Sequence, residues 1–114
     1  VVQGNFIGAD VGGTVDLGNT QGIAIWGSAF NNLVGGPVAN EGNTIAFITR
    51  GVTLYHTSVD NAVVGNSIYA NDLLGLYISN DGVTDNYDED ADSGPNEILN
   101  FPVLTNVYQS GPYL

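Results

Sequence analysis

The apolar positions of this chain fall in short alternating runs bounded by glycine and asparagine. Gly22-Ile23-Ala24-Ile25, Gly51-Val52-Thr53-Leu54 and Gly75-Leu76-Tyr77-Ile78 each open with glycine and carry apolar residues at every second place. A period of two predicts half-buried strands, and no stripe of helical period occurs anywhere. A second motif pairs Gly-Asn with an isoleucine two places later, in Gly4-Asn5-Phe6-Ile7, Gly42-Asn43-Thr44-Ile45 and Gly65-Asn66-Ser67-Ile68. A third leads in with asparagine, in Asn32-Leu33-Val34-Gly35-Gly36 and Asn61-Ala62-Val63-Val64-Gly65. The glycine-led motif recurs after 29 and then 24 residues, and Gly-Asn after 38 and then 23. The spacing is loose while the order of the motifs is kept.

Fixed order with variable spacing predicts a solenoid, in which strands stack in register and loops absorb insertions. A hairpin sheet would join longer strands through two-residue turns instead. Each strand then pairs with its equivalent one round away. The expected inward positions are Val2, Ile7, Ile23, Ile25, Val34, Ile45, Val52, Leu54, Val63, Ile68, Leu76 and Ile78. Composition agrees: 16 glycines and 14 asparagines disfavour helix throughout. Asparagine tolerates the left-handed backbone of a corner, and stacked copies can bond amide to amide along the stack.

Three runs carry a family likeness. Val2-Gln3-Gly4-Asn5-Phe6-Ile7-Gly8-Ala9-Asp10, Asn31-Asn32-Leu33-Val34-Gly35-Gly36 and Gly65-Asn66-Ser67-Ile68-Tyr69-Ala70-Asn71 resemble the repeats of right-handed parallel β-helices. They are similar to those of large secreted or surface proteins of bacteria and archaea. Asp81-Gly82-Val83-Thr84, Asp90-Ala91-Asp92-Ser93-Gly94-Pro95-Asn96 and Asn100-Phe101-Pro102-Val103-Leu104 resemble the segment that closes such helices. The likeness spans roughly residues 1–104 and implies a fold and an extracellular setting; function does not follow from fold. The expectation is an all-β chain, a right-handed parallel β-helix of about four to five coils. Residues 1–80 would form the coils, 81–100 an acidic closing loop and 101–114 an extended tail.

Charge narrows the partners. Twelve Asp/Glu against one Arg and no Lys give a net charge of −11. Arg50 alone cannot neutralise a phosphate backbone, so nucleic acid is excluded, and an anionic membrane surface with it. No apolar run is long enough to span a bilayer. Without cysteine or lysine there is no thiol nucleophile, disulfide or Schiff base.

Seven of the 12 acidic residues lie between Asp81 and Glu97. Asp88-x-Asp90-x-Asp92, with Asp85 and Asp81 beside it, offers hard carboxylate oxygens of the kind Ca²⁺ takes. It is not an EF-hand loop, since Ser93 and Leu99 stand where that motif needs glycine and glutamate. A solvated acidic loop without an ion is the plainer reading of the same residues.

Little else offers chemistry. His56 is the sole histidine, Ser58 and Ser67 lack a nucleophile-elbow setting, and the Asp60/Asp72 pair matches no hydrolase spacing. A lyase would need a base that only Arg50 could supply, and the net charge would repel a polyanionic substrate. The threonines form no repeated Thr-x-Thr rank of the kind that orders ice. No enzymatic activity is expected. Trp26, Tyr55, Tyr69 and Tyr77 fall at or near outward strand positions, where they either form a sugar platform or brace the strands. The favoured reading is an extracellular structural module. Because the chain opens inside a repeat, self-association into an end-to-end filament is expected. Carbohydrate binding or processing, with a glycan as partner, is the alternative.

Overall fold

The computed structural model describes residues 1–79, 85–86, 93–98 and 105. Eight short strands follow one another: β1 (Phe6–Ile7), β2 (Gln21–Ile25), β3 (Leu33–Gly35), β4 (Thr44–Ala46), β5 (Arg50–Leu54), β6 (Ala62–Val64), β7 (Ser67–Tyr69) and β8 (Leu76–Ile78). A 3₁₀ turn covers Pro95–Ile98. No helix among the described residues is long and apolar enough to cross a membrane.

The strands form three sheets with the orders β1-β4-β7, β2-β5-β8 and β3-β6. Every pairing between these strands is parallel. Each strand therefore pairs with the one three places further along the chain. Parallel neighbours need a crossover, and here the crossover is made of the two intervening strands rather than a helix. The fold is all-β with parallel sheets, built from one repeating order of three strand positions.

Register follows the sequence motifs. Ile7 pairs with Ile45 and Ile45 with Ile68. Ile23, Val52 and Leu76 form one rank, and Ile25, Leu54 and Ile78 the next. Val34 pairs with Val63 in the strands, and with Val2 through an isolated bridge. A slip of one residue would turn each apolar row to the opposite face, so burial fixes this register.

Ile25, Val34, Ile45, Ile48, Val52 and Leu54 make the buried core, with Ile7, Ile23, Ala29, Val63 and Ile68 packed against it. Ile48 was not among the expected inward positions, because it lies between β4 and β5 rather than in a strand. Leu76 departs the other way. It is 42 % exposed, and among the described residues β8 is the edge strand of its sheet.

Two asparagine ladders run across the stacked rounds. In the first, Asn5 Nδ2 donates to Asn43 Oδ1 at 2.9 Å and Asn43 Nδ2 to Asn66 Oδ1 at 2.8 Å. The backbone N–H groups of Asn5 and Asn43 donate to the same two oxygens. In the second, Asn32 Nδ2 donates to Asn61 Oδ1 at 2.9 Å and Asn61 Nδ2 to Asn96 Oδ1 at 3.4 Å. Asn43 is 1 % exposed and Asn61 6 %. Side-chain amides at such depth need partners, and each finds them in its own kind one round away.

Candidate functional site

The acidic segment offered by the sequence lies mostly outside the described residues: Asp81, Asp88, Asp90 and Asp92 all do. Asp85 is described and exposed. Among the described residues there is no group of three or more His, Cys, Asp or Glu that could hold a metal ion.

His56 is exposed and held at φ +57° just beyond β5. No hydrogen bond joins it to either serine; Ser58 Oγ is buried without a partner, and Ser67 is exposed. Asp72 accepts a hydrogen bond from Thr49 Oγ1 at 3.4 Å, and Asp60 sits in an exposed corner at φ +54°. Arg50 forms no ion pair among the described residues; its guanidinium lies over the Tyr77 ring, 5.3 Å from the centroid. That contact is a cation–π interaction.

The aromatic residues divide. Tyr69 donates from its hydroxyl to the Gly13 carbonyl and meets Phe47 edge-on with centroids 6.0 Å apart. It ties the loop after β1 to β7. Tyr77 is 8 % exposed and Tyr55 5 %, so both are buried rather than displayed. Trp26, by contrast, is 55 % exposed. Its ring lies on Tyr55, with centroids 4.1 Å apart and planes 31° from parallel.

Register explains that stack. Ile25 pairs with Leu54 and Leu54 with Ile78, which aligns the next residues, Trp26, Tyr55 and Ser79, as one rank. Adjacent strands lie about 4.7–4.9 Å apart, close to ring-stacking distance. Two rings one round apart must therefore touch. The third member, Ser79, carries no ring. Along this rank runs a cleft of about 360 Å³ lined by Trp26, Tyr55, His56, Ser79, Ser93, Gly94 and Pro95. Gln21 Nε2 donates to the Tyr55 hydroxyl at 2.8 Å and fixes the middle ring. His56 adds a further aromatic edge, 5.5 Å from Trp26. The sequence offered Trp26 and Tyr55 as platform residues only together with Tyr69 and Tyr77, and the far wall at Ser93–Pro95 has no local signature.

A second, smaller groove of about 200 Å³ lies at the edge of the first round, lined by Val1, Val2, Ile23, Ala24, Ile25, Asn32, Leu33 and Val34.

In the loop after β1, Asp10 organises its own turn. Its carboxylate accepts hydrogen bonds from the backbone N–H groups of Val15, Thr14 and Gly12 at 2.8, 2.8 and 3.2 Å. These bonds, Val15 and Thr14 foremost, hold the Asp10 carboxyl below its ordinary value. A depressed pKa contributes stability above the unfolded value and loses it as pH falls through the folded one. The amides of Thr14 and Val15 are therefore expected to lose protection against hydrogen exchange as pH drops below about 4. An Asp10→Ala variant, which removes the acceptor oxygen, should already show low protection at neutral pH and no such step; exchange mass spectrometry, corrected for intrinsic rates, reads both.

Comparison of the chain with family models, with curated proteins and with solved structures returned no match.

Proposed function

We propose that this chain is an extracellular structural module, a right-handed parallel β-helix of about four to five coils that stacks head to tail on further copies of itself. The observation that carries this reading is the polarity of the asparagine ladders. In the first ladder each member donates to the Oδ1 of the next, from Asn5 through Asn43 to Asn66. Among the described residues nothing donates to Asn5 Oδ1, and the backbone N–H of Asn66 has no acceptor. Among the described residues one end thus presents a free acceptor and the other a free donor, at positions the repeat makes equivalent. A second copy placed with its β7 beside β1 continues the ladder from its Asn66 to Asn5.

The strand edges match in the same way. Among the described residues β1 and β2 are edge strands at one end and β7 and β8 at the other, all parallel, with the 3₁₀ turn at Pro95–Ile98 beside β8. Unpaired backbone of this kind templates pairing with another chain. The apolar groove lined by Val2, Ile23, Ile25, Leu33 and Val34 supplies surface to bury. A heterologous contact of this type adds copies without closing.

Sedimentation velocity over a range of concentrations tests the reading. The wild-type chain is expected to shift to larger species as concentration rises. Phe6 lies on the β1 edge and is 46 % exposed, so Phe6→Lys should keep its circular dichroism and remain monomeric. A wild-type chain that stays monomeric throughout overturns the proposal.

A further inference from the structure

We infer that the cleft beside the Trp26–Tyr55 stack is a binding site for a neutral saccharide. The argument begins with the lining. Its aromatic residues are Trp26, Tyr55 and His56, and its polar groups are the hydroxyls of Ser79 and Ser93. None of these seven lining residues is an acid, a lysine or an arginine. Among the described lining residues, recognition works through ring faces and neutral hydrogen bonds. A pyranose presents that pair of properties: an apolar face of C–H groups that lies on an aromatic ring, and a rim of hydroxyls that donate and accept.

The volume of about 360 Å³ suits the task. Small-molecule sites span about 300–1,000 Å³, and an apolar floor with a few convergent polar groups is their common form. Trp26 also has capacity to spare. It is 55 % exposed, lies outside the buried core, and its indole N–H makes no hydrogen bond among the described residues. Tyr55 behind it is held by Gln21, so the platform is fixed before a ligand arrives. Fixing the site in advance lowers the ordering cost of binding.

His56 adds a wall to the site. In the aligned step of the preceding round the chain uses Gly27, at φ +69°, whereas here an imidazole occupies a left-handed position at φ +57°. A left-handed corner is common in this repeat, recurring at Asn31, Phe47, Asp60 and Ala70 among others, and at this one the side chain is an imidazole. The corner keeps the imidazole at the cleft wall, where its ring nitrogens reach a bound hydroxyl.

Other ligands fit less well. A quaternary ammonium needs rings standing around it as a cage, but Trp26 and Tyr55 lie on one another at 4.1 Å and leave no gap between them. A proline-rich peptide docks into grooves lined by aromatic residues, and one continuous stack offers a strip instead. A polyanionic glycan meets a chain of net charge −11 and is repelled.

Trp26 is the sole tryptophan, so intrinsic fluorescence reports from the site itself. The wild-type chain is to be titrated with cello-, xylo-, manno- and chito-oligosaccharides, with oligogalacturonate, and with a proline-rich peptide. At least one neutral oligosaccharide is expected to shift Trp26 emission saturably, with oligogalacturonate and the peptide without effect. By calorimetry, Trp26→Ala should weaken that sugar at least tenfold and His56→Ala several-fold, while Trp26→Phe retains part of the affinity. Circular dichroism and thermal melting verify that each variant is folded. The proposal is overturned if no neutral oligosaccharide perturbs Trp26, if oligogalacturonate or the peptide binds in its place, or if Trp26→Ala binds as tightly as wild type. The cleft lies within one copy, so this result is independent of stacking.

Discussion

Replacing Gly51 with alanine is expected to destabilise the protein by about 3 kcal/mol or more, beyond the usual range for an added methyl in a packed interior. A Cβ built on Gly51 stands 2.1 Å from the Gly75 carbonyl oxygen, 2.9 Å from its carbon and 3.1 Å from its Cα. All three are backbone atoms of the next round, so no side chain can swing away to make room. Relief requires β5 and β8 to part, and that breaks the register of Val52 with Leu76 and of Leu54 with Ile78. Gly27 provides the control. A methyl there meets nothing within 4 Å, although φ is +69°. Gly27→Ala should therefore cost only about 1–2 kcal/mol, the price of a left-handed residue with a side chain. Urea denaturation of both variants separates steric from conformational cost; equal losses would contradict the close approach of the rounds.

The second large effect belongs to Asn43. Its Oδ1 accepts from the backbone N–H and Nδ2 of Asn5, and its Nδ2 donates to the Val2 carbonyl at 2.9 Å and to Asn66 Oδ1 at 2.8 Å. Asn43→Ala removes these bonds and leaves a hole at a position 1 % exposed. A loss of about 3 kcal/mol is expected, from partners left unsatisfied. Asn43→Asp distinguishes hydrogen bonding from packing. One carboxylate oxygen still accepts from Asn5, but the other faces two acceptors and carries buried charge. Both effects raise its folded pKa above the unfolded value of about 3.9. The variant is then penalised at neutral pH, and the penalty shrinks as pH falls through the raised pKa, because the protonated acid can donate to Asn66 Oδ1. Against wild type at each pH, Asn43→Asp should recover stability toward pH 4 while Asn43→Ala does not. A pH-independent deficit in both would mean that packing, not the ladder, matters at this position.

These two residues also show what the sequence could carry. Gly22, Gly51 and Gly75 open the same motif, and the observed pairings place Ile23, Val52 and Leu76 in one rank. Gly-Asn-x-Ile likewise aligns Ile7, Ile45 and Ile68. Such ranks are legible because stacking demands the same residue type at the same step of each round. Tyr55 and Tyr77 were harder. Alternation turns Tyr55 away from Leu54 and Tyr77 away from Leu76 and Ile78, yet both are buried, as is Thr53, the pairing partner of Tyr77, at 0 % exposure. Burial on the outer side depends on what packs across the strands, and period two holds no record of that. The same applies to the cleft. Outward position picks out Trp26 and Tyr55 only together with Tyr69 and Tyr77, while Ser93, Gly94 and Pro95 reach the site through long-range packing. The acidic residues at 81, 88, 90 and 92 lie outside the described part of the chain, so their carboxylates remain placed by sequence spacing alone.

Axial stacking of the rounds from one copy onto the next is the central claim, and electron microscopy with fibre diffraction of the concentrated chain tests it most directly. Unbranched filaments one molecule wide, with a meridional reflection near 4.8 Å from strands continued across the junctions, are the predicted result. Discrete particles at every concentration, or assemblies lacking that reflection along the filament axis, would contradict it.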